Sequence, residues 1–127
     1  MINFSDFCIA DAVKDDAVGI SIGDLIQGNS INAYATVIEE GNKVGCHSHH
    51  EGEEWYIILA GEGTVFTSDV ENGALKEVTE TPFSSGSVFR ISAGTAHQLR
   101  ADKQVKLIFL CPPTHLEQDR TVFSDLC

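Results

Sequence analysis

Three of the five histidines of this 127-residue chain fall in one run, Cys46-His47-Ser48-His49-His50, and a glutamate follows at Glu54. Successive side chains of an extended strand point to opposite faces, so His47 and His49 project to the same side, with imidazoles close enough to share a cation. Cys46, Ser48 and His50 then point elsewhere or lie in the turn that follows. Two imidazoles at that spacing form half a metal site. Glu54 opens the next strand-like segment after His50-Glu51-Gly52-Glu53 and is the candidate third ligand. His97 lies in a distant strand-like segment, and a rolled-up antiparallel fold would bring it against the first three. Mixed imidazole and carboxylate donors suit one divalent transition metal, Mn, Fe, Ni, Co, Zn or Cu, with geometry and availability setting the identity. The competing reading is a set of unrelated surface and core histidines.

The elements that would position these groups are strands. Eleven glycines and only three prolines punctuate short stretches rich in Val, Ile, Thr and aromatics, the rhythm of an all-β sandwich or barrel. The predicted strands cover residues 18–27, 31–39, 44–49, 54–60, 63–68, 74–79, 87–91, 96–100 and 105–111. Turn signals separate them, and Asn72-Gly73 is the best hairpin tip. The nearest approach to a helical period, residues 4–13, predicts a short helix or turn. Along 54–60, Glu54, Tyr56, Ile58 and Ala60 share one face, while Trp55, Ile57 and Leu59 share the other and face outward. The polar tail after Pro112-Pro113 is expected to wrap over the barrel or a partner subunit.

Read as a spacing, the chain runs Gly41, five residues, His47, one residue, His49, four residues, Glu54, six residues, Gly61. This closely resembles the first motif of the cupin superfamily at every named position. The second cupin motif aligns with Gly86, Ser92 in the proline place, Gly94, His97, and Ala101 in the asparagine place; Ser87 stands where aspartate is common. The resemblance implies a double-stranded β-helix, a jelly-roll-like barrel. One domain would span 1–127, with the motifs at 41–61 and 86–101, an N-terminal arm over 1–16 and a C-terminal tail over 112–127. It implies a divalent metal held inside by His47, His49, Glu54 and His97. The spacing to Gly61 selects Glu54 over Glu53, and Glu51 and Glu53 are placed at the mouth. Loss of the motif proline is expected to loosen the loop that aims His97. His50 and His115 lie outside the pattern and are assigned to the surface, and Cys46 to packing. Tyr34, Thr36, Tyr56, Phe66, Leu99 and Phe109 are candidate pocket-wall residues if their strands face inward, against the plainer alternative of ordinary core.

Eight basic against 19 acidic residues give a net charge of −11, a field that repels phosphate backbones and anionic membranes and excludes both as partners. No apolar run approaches a membrane span, and the N-terminus lacks a signal-peptide pattern, so a cytoplasmic protein is expected. Cys8, Cys46, Cys111 and Cys127 have no CxxC spacing, which indicates neither a disulfide framework nor a thiolate zinc site. Three imidazoles and a carboxylate leave positions open on an octahedral ion for water, dioxygen or substrate. The resemblance therefore implies a metal-dependent enzyme of oxygenase or isomerase type acting on a small organic molecule. The alternative is a non-catalytic small-molecule-binding or sensing cupin in which the metal anchors the ligand. With Arg90 and Arg100 the only arginines near the second motif, a neutral, hydrophobic or cationic substrate is favoured over a phosphosugar. A homodimer is expected, with Trp55 and Leu59 at the contact.

Overall fold

Short apolar stretches bounded by glycine turns give strands and almost nothing else. The computed structural model describes residues 1–127. In chain order the elements are β1 (Val13–Asp15), β2 (Ile20–Gln27), β3 (Asn32–Ile38), β4 (His47–Ser48), β5 (Glu54–Ala60), β6 (Glu62–Glu71), β7 (Ala74–Ser84), β8 (Val88–Ile91), β9 (Thr95–Ala101), β10 (Val105–Cys111), the single-turn α1 (Thr114–Glu117) and β11 (Thr121–Val122). They form a six-stranded sheet, β1-β2-β3-β10-β5-β8, and a five-stranded sheet, β11-β4-β9-β6-β7. Every pairing is antiparallel.

Inward-facing residues of both sheets make one core. Tyr34, Ile58, Leu107 and Phe109 come from the first sheet; Val65, Phe83 and Leu99 come from the second. The alternation in β5 follows the expected faces: Glu54, Tyr56 and Ile58 are buried, and Trp55 and Leu59 are exposed. Cys46 is buried as a packing residue would be, and all four cysteines are free. The β6–β7 hairpin turns at Asn72 and Gly73, both at positive φ, as the two-residue turn requires.

Of the helix or turn expected over residues 4–13 the structure forms the turn, closed by Ala12 N–H donating to the Ile9 carbonyl. Phe4 and Ile9 are exposed there, so no apolar face exists to hold a helix against the barrel. Phe66 is buried but faces away from the barrel interior. It pairs with Gln98, whereas its neighbour Val65 pairs with the core residue Leu99, and Arg100 lies over its ring at 5.0 Å. The loop before His97 is tied despite lacking proline: Gly94 N–H donates to the His49 carbonyl at 2.8 Å, and Thr95 N–H to the Ser92 carbonyl at 3.2 Å.

The tail wraps over this same barrel. β11 pairs with β4, Phe123 N–H donates to the Cys46 carbonyl, and the Gln98 amide bonds Asp125 and Leu126.

The close of β5 demands glycine. Gly61 has φ +92°, and a Cβ there would lie 2.1 Å from the Gln104 carbonyl oxygen. Gly61→Ala is expected to cost about 2–3 kcal/mol and to lower Tm by roughly 5–10 °C, measured by calorimetry against wild type.

Candidate metal centre

Strand register builds the site. β4 and β9 pair with His47 opposite His97, His49 follows β4 directly, and Glu54 opens β5 opposite Ile91 of β8. All four side chains are buried, and their donor atoms lie within 4.8 Å of one another. The imidazole centroids stand 4.4 to 5.5 Å apart. The two distant stretches of sequence therefore converge.

Backbone carbonyls orient each ring. Nδ1 of His47 donates to Gly45 at 2.8 Å, Nδ1 of His49 to Asp119 at 2.6 Å, and Nδ1 of His97 to Thr95 at 3.0 Å. Each ring thus keeps its proton on Nδ1 and turns the Nε2 lone pair inward, the second-shell arrangement of metal-ligating histidines. Nε2 of His49 and Nε2 of His97 are buried without a hydrogen-bond partner. They face the Glu54 carboxylate at 2.8 and 3.4 Å. Lone pair against lone pair at such distances is unfavourable until a cation or proton lies between them. Three nitrogens and one carboxylate so arranged fit a divalent transition metal.

Glu54 is held from behind as well. The Tyr56 hydroxyl donates to Oε1 at 2.6 Å, and Nδ1 of His115 to Oε2 at 2.9 Å. Burial works to raise the Glu54 pKa, but the hydrogen bond from His115 and the adjoining imidazoles of His49 and His97 outweigh it and hold it well below the usual carboxylate range. Burial, reinforced by the neighbouring His97, pushes His47 down to about 3. Burial and the Glu54 charge raise Tyr56 and Cys111.

His115 is not a surface residue: it is fully buried. Its Nε2 faces the Glu51 carbonyl at 2.5 Å, and its ring lies parallel on that of His49 at 3.9 Å. Burial works to lower its pKa, but the bonds to Glu54 and Glu51 prevail and raise it. A lone histidine in a polar tail carries no sequence signal for this role, because its partner Glu54 lies 61 residues away. His50, by contrast, is exposed, as expected.

His47, His49 and Glu54 sit on a cavity lined by 16 residues, ten of them hydrophobic, whose empty space of about 420 Å³ includes open solvent at its mouth; His97 is not on its wall. Thr36, Tyr56, Leu99 and Phe109 are on its wall. Tyr34 and Phe66 are not. Tyr34 is one place along the sheet, stacked on Phe109 at 5.1 Å with its hydroxyl accepting from Asn32. Arg120 also reaches the wall, where it is ion-paired with Asp15, and neither residue carries a sequence signal for that place. Arg90 and Arg100 lie outside the cavity, beside Glu53 and Asp102.

A cupin domain matches residues 34–112. The chain belongs to the cupin superfamily. Among curated proteins no sequence relative matches. Among solved structures the cupin is similar to the capsular polysaccharide assembling protein CapF from Staphylococcus aureus, with TM-score 0.72, 19% identity, and 90% of this chain covered. It spans 31% of CapF. It is also similar to a Cupin 2 conserved barrel domain protein from Salinispora arenicola (TM-score 0.64, 18% identity, 91% and 92% of the two chains). A predicted oxalate decarboxylase from Thermotoga maritima gives TM-score 0.60 and 21% identity over 73% and 79% of the two chains. These likenesses support the double-stranded β-helix fold. No helix of this cupin is long and apolar enough to cross a membrane.

The depressed His47 gives the metal-free protein a defined acid sensitivity. In the unfolded chain the ring takes a proton below about 6.5, in the fold only near 3. Stability is therefore fully present above pH 6.5 and is lost progressively as pH falls toward 3. Chemical unfolding midpoints across that window are expected to fall less steeply in His47→Asn than in wild type; equal slopes would contradict the assignment.

Proposed function

We propose that this cupin is a metal-dependent enzyme acting on a small organic molecule with a largely apolar body. The observation that carries the reading is the pair of inward-aimed Nε2 lone pairs of His49 and His97, buried without partners beside Glu54, which with His49 lines the cavity. His47, His49, Glu54 and His97 would hold the ion, and a divalent ion there would act as a Lewis acid or redox centre with positions open to the cavity. The apolar wall excludes water and offers few partners for the hydroxyls of a sugar, which favours oxygenase-type over isomerase-type chemistry. Tyr56 and His115 already donate to Glu54 and are not free as separate acids. Arg120 is neutralised by Asp15, so an anionic substrate would have to displace that pair; a neutral one would not.

Elemental analysis of the untagged protein is expected to find about one transition-metal ion per chain in wild type and a large loss in His49→Ala. Equal metal in both would remove the site assignment. Oxygen uptake with the metal-loaded protein, over a panel of small apolar and aromatic compounds, then separates turnover from binding. Saturable binding without product would favour the non-catalytic reading.

The same reading includes a homodimer formed through the outer face of the six-stranded sheet, where Trp55, Leu59 and Val88 are exposed. Gel filtration at micromolar concentration is expected to give a dimer, and a monomer would remove this part.

A further inference from the structure

Beside Glu54 lies a second group of buried side chains: Tyr56, Cys111 and His115. Glu54, Cys111 and His115 bring donor atoms within 4.8 Å of one another, yet both ring nitrogens of His115 are already engaged, with Glu54 and with the Glu51 carbonyl. No lone pair is left on that ring for a second ion. The group acts on the first site instead.

Resting on the metal reading above, we propose that His115 is a positioning residue of the metal centre: it sets which lone pairs of Glu54 face the ion and holds the plane of the His49 ring. The terminal torsion of a glutamate is broad and has no strong rotamer of its own. Here each carboxylate oxygen has a donor on one side and an imidazole on the other. Oε2 lies 2.9 Å from His115 Nδ1 and 2.8 Å from His49 Nε2; Oε1 lies 2.6 Å from the Tyr56 hydroxyl and 3.4 Å from His97 Nε2. The two donors fix the carboxylate plane and leave its remaining lone pairs toward the histidines.

His115 is itself immobile. It has no exposed surface, and its Nε2 is anchored 2.5 Å from the Glu51 carbonyl oxygen. Gly52, at φ +77°, makes the room: a Cβ there would lie 2.9 Å from Pro112 and 3.4 Å from the His115 ring. The imidazoles of His115 and His49 are parallel to within 1° at 3.9 Å. Asp119, four residues on, accepts from His49 Nδ1 through its carbonyl and from the His50 and Glu51 amides through its carboxylate. One stretch of the tail therefore orients two of the four ligating groups, although it lies beyond both sequence motifs.

The test is a Co²⁺ titration of the metal-free full chain, read by affinity and by the d–d absorption band that reports ligand number and geometry. His115→Phe and His115→Leu delete the donor, Phe keeping a ring against His49; His115→Gln restores an N–H toward Glu54 without the ring. Circular dichroism of the metal-free variants establishes folding. A folded His115→Phe or His115→Leu is expected to bind Co²⁺ roughly 10- to 100-fold more weakly, with an altered band, and His115→Gln to recover most of both. Wild-type affinity and band in a folded apolar variant would overturn the proposal. So would equal weakening in all three, which assigns His115 to packing alone, or, when neither apolar variant folds, a folded His115→Gln that binds Co²⁺ no better than His49→Ala. Absence of Co²⁺ binding by wild type would instead defeat the metal reading on which the proposal rests.

Discussion

An ionised carboxylate enclosed between two β-sheets is costly unless donors or cations surround it, and Glu54, 2% exposed, is that group here. Its stability within the barrel comes from Tyr56 and His115 behind it and from the charge demanded by the imidazoles in front. The surrounding elements serve this arrangement. β5 brings Glu54 in, the β4–β9 register sets His47 against His97, and backbone carbonyls choose the tautomer of each ring. Without a cation the centre holds opposed lone pairs; with one, the same geometry becomes attraction.

The C-terminal segment belongs to this architecture and is more than a cover. Between Pro112 and Val122 it supplies the ring behind Glu54, the carbonyl that holds His49, the carboxylate that ties the His50–Glu51 backbone, and a strand partner for β4. Beyond it, Lys43 bonds both Asp125 and the Cys127 carbonyl, at 2.8 and 2.9 Å. Arg120 adds a link to Asp15 near the opposite end of the chain. Loosening the tail would therefore be felt at the buried His/Glu cluster before it was felt in the core.

The buried His/Glu cluster was legible because its signals are local. Strand alternation places His47 and His49 together, and motif spacing singles out Glu54 and His97. The spans of β5 and β10 were equally plain, being apolar runs with clear turn residues at their ends. What escaped depends on contacts distant in sequence. His115 and Arg120 look like ordinary tail residues until Glu54 and Asp15 are brought to them. α1 and β11, at four and two residues, carry no periodicity of their own. Phe66 was misplaced because Val65 and Phe66 are adjacent and both apolar, so composition does not reveal which one faces inward; the pairing with β9 decides it.

β7 is the free edge of the five-stranded sheet, eleven residues long and exposed along most of its length. A strand of that kind is a template for runaway pairing with other chains. Lys76, Glu77, Glu80 and Pro82 lie along it; the acidic pair repels a second copy of itself, and the proline has no N–H to offer an incoming ladder. Fibril-like growth is thereby discouraged at the edge most open to it.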